Sequence, residues 1–152
     1  MGKLHETENV QHRVAIVSLG CAKNLVDSEH IASLLEESGI EVCTDPATAP
    51  VAIVNSCGFI DIAKEESIDT ILEVADLKES SDLQHLIVTG CLTERYGHEL
   101  HELLPEADVL TGIDPHRAAR AALWALGIDE PLPTQCNLRS IRFTPPSWAY
   151  LR

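Results

Sequence analysis

The sequence has few aromatic residues, few basic residues and no long hydrophobic run. Only 4% of its 152 residues are aromatic, and 11 Lys and Arg stand against 24 Asp and Glu, a formal net charge of −13. A surface this negative repels a phosphate backbone, which argues against nucleic-acid binding. No run approaches the roughly 20 apolar residues of a membrane helix, so no membrane association is expected. The acidic balance instead favours basic partners.

The sequence also lacks a secretion signal and a nucleotide-binding signature. The N-terminus reads MGKLHETENVQHR, without the apolar centre of a signal peptide. No Gly-x-Gly-x-x-Gly or P-loop pattern is present, which argues against nucleotide binding. We therefore expect a cytoplasmic chain, whose thiols stay reduced. Its odd number of cysteines agrees with free, metal-binding or catalytic thiols; the five are Cys21, Cys43, Cys57, Cys91 and Cys136.

Short apolar runs alternate with helix-period segments in a chain that is 45% hydrophobic. The alternation predicts an α/β fold: one flavodoxin-like, three-layer domain with a five-stranded parallel sheet in the order 2-1-3-4-5. Thr93 and Asp114 are predicted helix N-caps, Gly127 a helix stop, and 78–84 a surface loop. The predicted strands are 14–19, 40–44, 51–55, 86–89 and 109–111, and the first two helices run from about 24 to 38 and from about 61 to 77. The first helix is predicted to bury Ile31, Leu34 and Leu35, and the third to share one apolar face among Tyr96, Leu100, Leu103 and Leu104.

The composition changes near residue 129 and divides the chain into three parts. Residues 1–13 are a predicted N-terminal extension, 14–128 the α/β domain, and 129–152 a linker or extended arm. The segment 131–152 holds four of the eight prolines, three arginines and no acidic residue. We expect this arm to lead into a further domain that the chain does not contain.

Three cysteines share one position in the predicted sheet. Cys21, Cys57 and Cys91 follow the first, third and fourth strands, which are neighbours in the predicted order. Open α/β sheets bind ligands at the carboxyl edge of their strands. Neighbouring strands lie about 4.8 Å apart, so the three side chains can converge. A glycine beside each cysteine permits tight turns and close approach of a ligand.

The residues alone leave the ligand of these thiols open. A lone cysteine is more often core packing, but three at equivalent strand ends argue for a site. Zinc in structural sites takes four protein ligands, and a histidine could be the fourth. Iron-sulfur clusters are held by thiolates, ordinarily four per cubane, so three would leave one iron open.

Several motifs resemble the radical S-adenosylmethionine methylthiotransferase family. Residues 18–29 read SLGCAKNLVDSE, close to the family's opening motif, and 55–60 (NSCGFI) and 88–92 (VTGCL) resemble its second and third cysteine motifs. The resemblance covers residues 14 to about 126. After the first cysteine this chain has Ala22-Lys23-Asn24, where members acting on transfer RNA usually read Gln-Met-Asn. The chain is therefore more similar to the branch that modifies a small-subunit ribosomal protein.

The resemblance implies a cofactor, a substrate and missing domains. Cys21, Cys57 and Cys91 would ligate an auxiliary [4Fe-4S] cluster with one open iron, and the substrate would be an aspartate β-carbon of a basic ribosomal protein, which receives a methylthio group. The family's Cys-x3-Cys-x2-Cys motif does not occur in this chain. S-adenosylmethionine and a second [4Fe-4S] cluster would thus belong to a radical domain outside this chain, as would the C-terminal domain. This chain alone is expected to be inactive and to hold no catalytic residue.

The polar residues beside the cysteines allow two interpretations. Asn24, Asp27 and Glu29 lie at the start of the first helix. They could cap it and compensate its dipole, or they could support the loop that carries the cluster ligand. Asn55, the last residue of the predicted third strand, is expected to support the cysteine loops in the same way.

Other features are set aside. Cys43 is expected to pack, and Cys136 to be an idle thiol. His98 and His101 are spaced i, i+3 rather than the i, i+4 of a zinc-protease helix, so they are expected to be solvated. Two alternative functions stay open: a transfer-RNA methylthiotransferase domain, and a non-catalytic α/β module whose thiols hold zinc or nothing.

Overall fold

A computed structural model of the chain describes residues 12–20, 22–58, 61–129 and 131–132. Within them five strands alternate with four helices and a short 3-10 helix at Pro46–Thr48. The strands are β1 Arg13–Ser18, β2 Glu41–Cys43, β3 Val51–Ser56, β4 His85–Gly90 and β5 Val109–Leu110. The helices are α1 Ala22–Glu37, α2 Asp61–Ser80, α3 Cys91–Leu103 and α4 Pro115–Ala125. Cys21, Cys136, and most of the predicted extension and arm lie outside the described residues.

The strands form one parallel sheet in the order β2-β1-β3-β4-β5. This confirms the predicted α/β class and strand order. The register brings the ends of the three central strands level, because Ser18 pairs with Asn55 and Asn55 pairs with Thr89. The turns that follow β1, β3 and β4 therefore start side by side.

The sheet is buried on both faces, as its continuous apolar runs predict. Alternate residues such as Val14, Ile16 and Ile53 face α1 and α4, while their neighbours, among them Ala52 and Val54, face α2 and α3. All six residues of β3 are buried. The core thus consists of two apolar layers, one on each side of the sheet.

Two predicted helix boundaries are wrong. Helix α2 continues to Ser80, so residues 78–80 are helical rather than part of the predicted loop. Helix α3 begins at Cys91, two residues before the predicted cap, with Gly90 as its N-cap residue. Thr93 does not cap this helix, because its hydroxyl points at the carbonyls of Gly90 and Thr111 and shares its one proton between them, instead of accepting from a helix N–H. These features depend on contacts between elements that a single helical segment does not reveal.

Predicted helix faces are mostly confirmed. Ile31, Leu34 and Leu35 of α1 are buried, and Asp114 caps α4 by accepting from the His116 backbone N–H. Leu103, predicted on the apolar face of α3, is 71% exposed. Helix α3 leaves helical geometry at Tyr96, so one uniform period does not extend to its end. No helix in the described ranges is long and apolar enough to span a bilayer.

An ion pair between Lys78 and Asp108 stabilises the chain directly before the short edge strand β5. Asp108 accepts from Lys78 Nζ at 2.6 Å and from the Leu86 backbone N–H at 2.7 Å. Burial by itself would raise the pKa of Asp108, but the hydrogen bonds and the positive charge of Lys78 outweigh it and lower the pKa below 3.8. The ionised carboxylate therefore stabilises the folded state.

We expect Asp108→Asn to lower the free energy of unfolding by about 1 kcal/mol at neutral pH, since the ion pair is still partly open to solvent. A carboxyl group with a depressed pKa stabilises the fold above its unfolded pKa, and this contribution disappears as the pH falls through the folded value. The difference between wild type and variant should therefore shrink below about pH 4. Urea unfolding of both proteins at neutral pH and in steps below pH 4 measures this difference in the free energy of unfolding.

The matched control is Asp61→Asn, because Asp61 is 95% exposed and pairs with Lys64 at 3.5 Å. That variant should change stability far less. Equal losses in the two variants, or a difference for Asp108→Asn that persists in acid, would contradict the assignment.

Candidate metal centre

The turns after β1, β3 and β4 meet at the carboxyl edge of the sheet. Cys57 immediately follows β3 and is 8% exposed, whereas Cys91 is the first residue of α3 and is partly exposed. Cys21 lies outside the described residues, and its chain neighbours Gly20 and Ala22 belong to this edge. The structure thus brings two of the three predicted ligands, and the chain on either side of the third, to one edge.

Gly20 lets the turn after β1 touch Cys57. Its φ is +84°, and a Cβ added there would lie 2.5 Å from the Cys57 Cβ and 2.7 Å from its Sγ. No side chain fits in that space, and L-residues rarely adopt that backbone angle. The thiol of Cys57 therefore packs directly against the backbone that precedes Cys21.

Glycines also join the turn after β3 to the turn after β4. Gly90 has φ +104°, and a Cβ there would collide with the Ser56 carbonyl oxygen and the Asn55 Oδ1. A Cβ at Gly58 would lie 2.8 Å from the Cα of Leu92. The backbones beside Cys57 and Cys91 are thus in contact, so the turns that carry the two cysteines touch at this edge.

Asn24 of α1 contacts all three turns. Its Nδ2 donates to the carbonyls of Leu19 and Ser56, both at 2.9 Å, and its Oδ1 accepts from the Cys91 thiol at 3.9 Å. The side chain is buried, with 1% of the residue exposed. The two carbonyl partners determine which amide atom is the nitrogen, so Oδ1 faces the sulfur.

Asn55 connects the end of β3 to α1. Its Nδ2 donates to the Asn24 carbonyl and to Ser28 Oγ, both at 2.9 Å, and Ser28 in turn donates to Ser18 Oγ. The turn after β1 is tied to β3 by the Leu19 N–H, which donates to the Asn55 carbonyl. Asn24 and Asn55 therefore support the cysteine turns through buried hydrogen bonds rather than by capping α1.

Ser67 holds the backbone of Cys57, a contact that the sequence prediction missed. Its Oγ accepts from the Cys57 N–H at 2.9 Å and donates to the Cys57 carbonyl at 2.8 Å. Ser67 is fully buried in α2 and precedes Ile71 and Val74 by four and seven residues. A polar residue on the apolar face of a helix was the signal in the sequence that could have found it.

The sequence prediction also missed two hydrogen bonds that stabilise the end of β4. The hydroxyl of Thr89 donates to the Gly112 carbonyl at 2.6 Å, and that of Ser56 donates to the Thr89 carbonyl at 2.6 Å. These bonds tie the end of β4 to β3 on one side and to the chain after β5 on the other. The turn that carries Cys91 is thereby held from both sides.

The other predicted residues lie as follows. Asp27 and Glu29 are both buried in α1, and Asp27 pairs with Lys23 of the same helix at 3.9 Å. Cys43 pairs with Ala15 on the far side of β1, with its Sγ 3.7 Å from the Asp45 carbonyl oxygen. His98 and His101 are exposed on α3, as predicted.

A cavity of about 370 Å³ opens beside Cys91. Its lining has a thiol at a helix N-terminus, two basic side chains and one acidic side chain. The lining residues are Lys23, Gly58, Cys91, Glu94, Arg95 and Ile113. Lys23 also pairs with Asp27, so the cavity has charges of both signs beside the thiol.

Cys57 and Cys91 need a further ligand to hold a metal. Within 12–20, 22–58, 61–129 and 131–132, no group of three His, Cys, Asp or Glu residues could bind one. The soft thiols, the close approach of the turns at Gly20, Gly58 and Gly90, and the adjoining cavity fit a thiolate-bound cluster. In the sequence, Cys21 directly follows Gly20, and it lies outside the described residues.

Two relatives of this chain are both named "Ribosomal protein uS12 methylthiotransferase RimO". The relative from Natranaerobius thermophilus is 54% identical over 102 residues, which are 67% of this chain and 23% of the relative. The relative from Kineococcus radiotolerans is 47% identical over 120 residues, 79% of this chain and 25% of the relative. The chain thus spans about a quarter of the length of these relatives.

The sequence profile of one protein family, described as "Uncharacterized protein family UPF0004", matches residues 13–112. That range contains β1 to β5 and all three cysteines of the predicted site. Together with the relatives, the match confirms the resemblance found in the cysteine motifs. The chain therefore belongs to family UPF0004, as a domain similar to the N-terminal region of the RimO methylthiotransferases.

Proposed function

We propose that this chain is the auxiliary-cluster-binding domain of an enzyme that adds a methylthio group to the β-carbon of an aspartate in ribosomal protein uS12. The observation that carries the proposal is the junction of the Cys57 and Cys91 turns with Gly20 at one sheet edge. Relatives 47% and 54% identical to the chain, named as uS12 methylthiotransferases, support the substrate.

Cys21, Cys57 and Cys91 are the proposed ligands of a [4Fe-4S] cluster. Three thiolates leave one of four irons without a protein ligand, and that iron would supply the binding position for the sulfur that is transferred. The contacts of Gly20 with Cys57 and of Gly58 with Leu92 support the shared site, since the turns beside all three cysteines meet there.

The chain's own residues would shape the cluster environment. Cys57 is nearly buried, which would shield its iron-sulfur bond from water. Lys23 and Arg95 line the cavity beside Cys91 and would offset the negative charge that thiolates bring. Asn24 and Asn55 would hold the turns, as their hydrogen bonds to the backbone suggest.

The complete reaction would require parts beyond this chain. S-adenosylmethionine and a second [4Fe-4S] cluster would be bound by a radical domain, because the Cys-x3-Cys-x2-Cys motif is not in these 152 residues. In this proposal 14–128 form the cluster domain, and 129–152 lead towards the radical domain. No catalytic residue is assigned to the chain, which alone would be inactive.

The proposed partner is basic. Ribosomal proteins carry positive charge, and a chain of net charge −13 would attract one electrostatically while repelling nucleic acid. A ribosomal substrate also implies a cytoplasmic location. This charge favours the ribosomal-protein substrate over a transfer-RNA substrate.

Anaerobic reconstitution with iron and sulfide should load the chain with about four irons and give the visible absorption of a thiolate-bound cluster. Cys21→Ala, Cys57→Ala and Cys91→Ala should each reduce bound iron at least about tenfold, because each removes one of three anchors. Iron and sulfide analysis with visible and EPR spectra measures the result.

Cys43→Ala is the matched control, since Cys43 lies beyond β1, and Cys136→Ala tests the arm; both should keep full iron content. Loss of cluster in either control would mean a closed, four-ligand site without an open iron. Tight zinc binding with no uptake of iron and sulfide would favour the thiol module instead.

In the organism, deleting the gene that encodes this domain together with the proposed radical domain should leave the target aspartate of uS12 unmodified, because that enzyme is the proposed source of the methylthio group. Mass spectrometry of ribosomal protein digests would show the loss of that modification, and restoring the complete wild-type gene should return it. Unaltered uS12 together with loss of a methylthio group from transfer RNA would overturn the ribosomal-protein assignment.

A further inference from the structure

We propose that Asn24 is a positioning residue that holds the three cysteine turns in ligand-binding geometry before any metal arrives, an inference that rests on the proposed cluster function. Its carboxamide contacts the turns after β1, β3 and β4 at once. Its role is to preorganise the thiols, and it does not itself bind the cluster.

Each atom that Asn24 contacts lies close to a proposed ligand. The carbonyl of Leu19 is two residues before Cys21, the carbonyl of Ser56 is directly before Cys57, and the third contact is the thiol of Cys91 itself. One rigid, planar amide thus sets the relative positions of three separate turns. Displacing it would change the spacing of the thiols together rather than one at a time.

Asn24 is itself held in place. Its backbone carbonyl accepts from Asn55 Nδ2 at 2.9 Å, and Asn55 also donates to Ser28 Oγ. Because the amide is 1% exposed, water cannot replace hydrogen bonds that are lost. The network therefore keeps one arrangement of the turns instead of several.

This role is separable from folding. Helix α1 is anchored by Ile31, Leu34 and Leu35, which are fully buried in the core layer shared with α4. Asn24 lies in the first turn of the helix, at the sheet edge and about two to three turns from those residues. Altering its amide should move the cysteine turns while leaving the core packing in place.

Arsenite tests this inference on the metal-free chain, because trivalent arsenic binds three converging thiols at once. Wild type should bind one arsenite tightly, and Cys21→Ala, Cys57→Ala and Cys91→Ala should each abolish that binding. Asn24→Asp keeps the shape but loses both donors, and Asn24→Ala removes the amide. Both should weaken arsenite binding about 10- to 100-fold.

The control for general destabilisation is Ile71→Val, in the core layer on the opposite face of the sheet. It should lower the unfolding temperature and leave arsenite affinity unchanged. Circular dichroism and thermal unfolding establish that each variant is folded. In clusters reconstituted on Asn24→Asp, the EPR spectrum should also shift, because the environment of the Cys91 sulfur has changed.

The outcomes separate this inference from the proposed function. Unchanged arsenite affinity in both Asn24 variants would overturn the positioning role. So would an equal loss of arsenite affinity in Ile71→Val, since the loss would then follow the lower unfolding temperature. A wild-type chain that accepts the cluster but not arsenite would overturn preorganisation alone. A chain that accepts neither would instead overturn the proposed function.

Discussion

The whole site depends on the register of three parallel strands. Ser18, Asn55 and Thr89 lie level across β1, β3 and β4, so the next few residues of each strand leave the sheet at one edge. Burial on both faces sets this register, because a shift of one residue would exchange the side chains that fit α1 with those that fit α2. Apolar packing in the core thereby decides where the turns after β1, β3 and β4 start.

The backbones of the three turns can approach closely at that edge because glycines leave room for them and because their buried polar groups have hydrogen-bond partners. Gly20 and Gly90 adopt positive φ angles and allow backbones to meet where a Cβ would collide. Burying so much backbone would be costly without partners, and Asn24, Asn55 and Ser67 supply the hydrogen bonds. The same features that tighten the edge leave room for a sulfur-bound group beside Cys91.

The strand order and the placing of Cys57 and Cys91 at one sheet edge were predictable because they follow from local patterns. Apolar runs identify the strands, and the handedness of parallel crossovers restricts their order. The contacts of Asn24 and Ser67 were not predictable in the same way, since each bonds to a carbonyl or N–H at least ten residues away in another element. Leu103 was misplaced for a related reason: the irregular geometry at Tyr96 is invisible to a uniform helical period.

The most direct test of the central claim is anomalous diffraction at the iron edge from anaerobic crystals of the reconstituted chain. The account predicts one compact iron site at the carboxyl edge, bonded to the sulfurs of Cys57 and Cys91 and completed by Cys21. It also predicts that Asn24 keeps its hydrogen bonds to the Leu19 and Ser56 carbonyls. Iron bound at Cys43 or Cys136, or cysteine turns that separate when iron is bound, would contradict it.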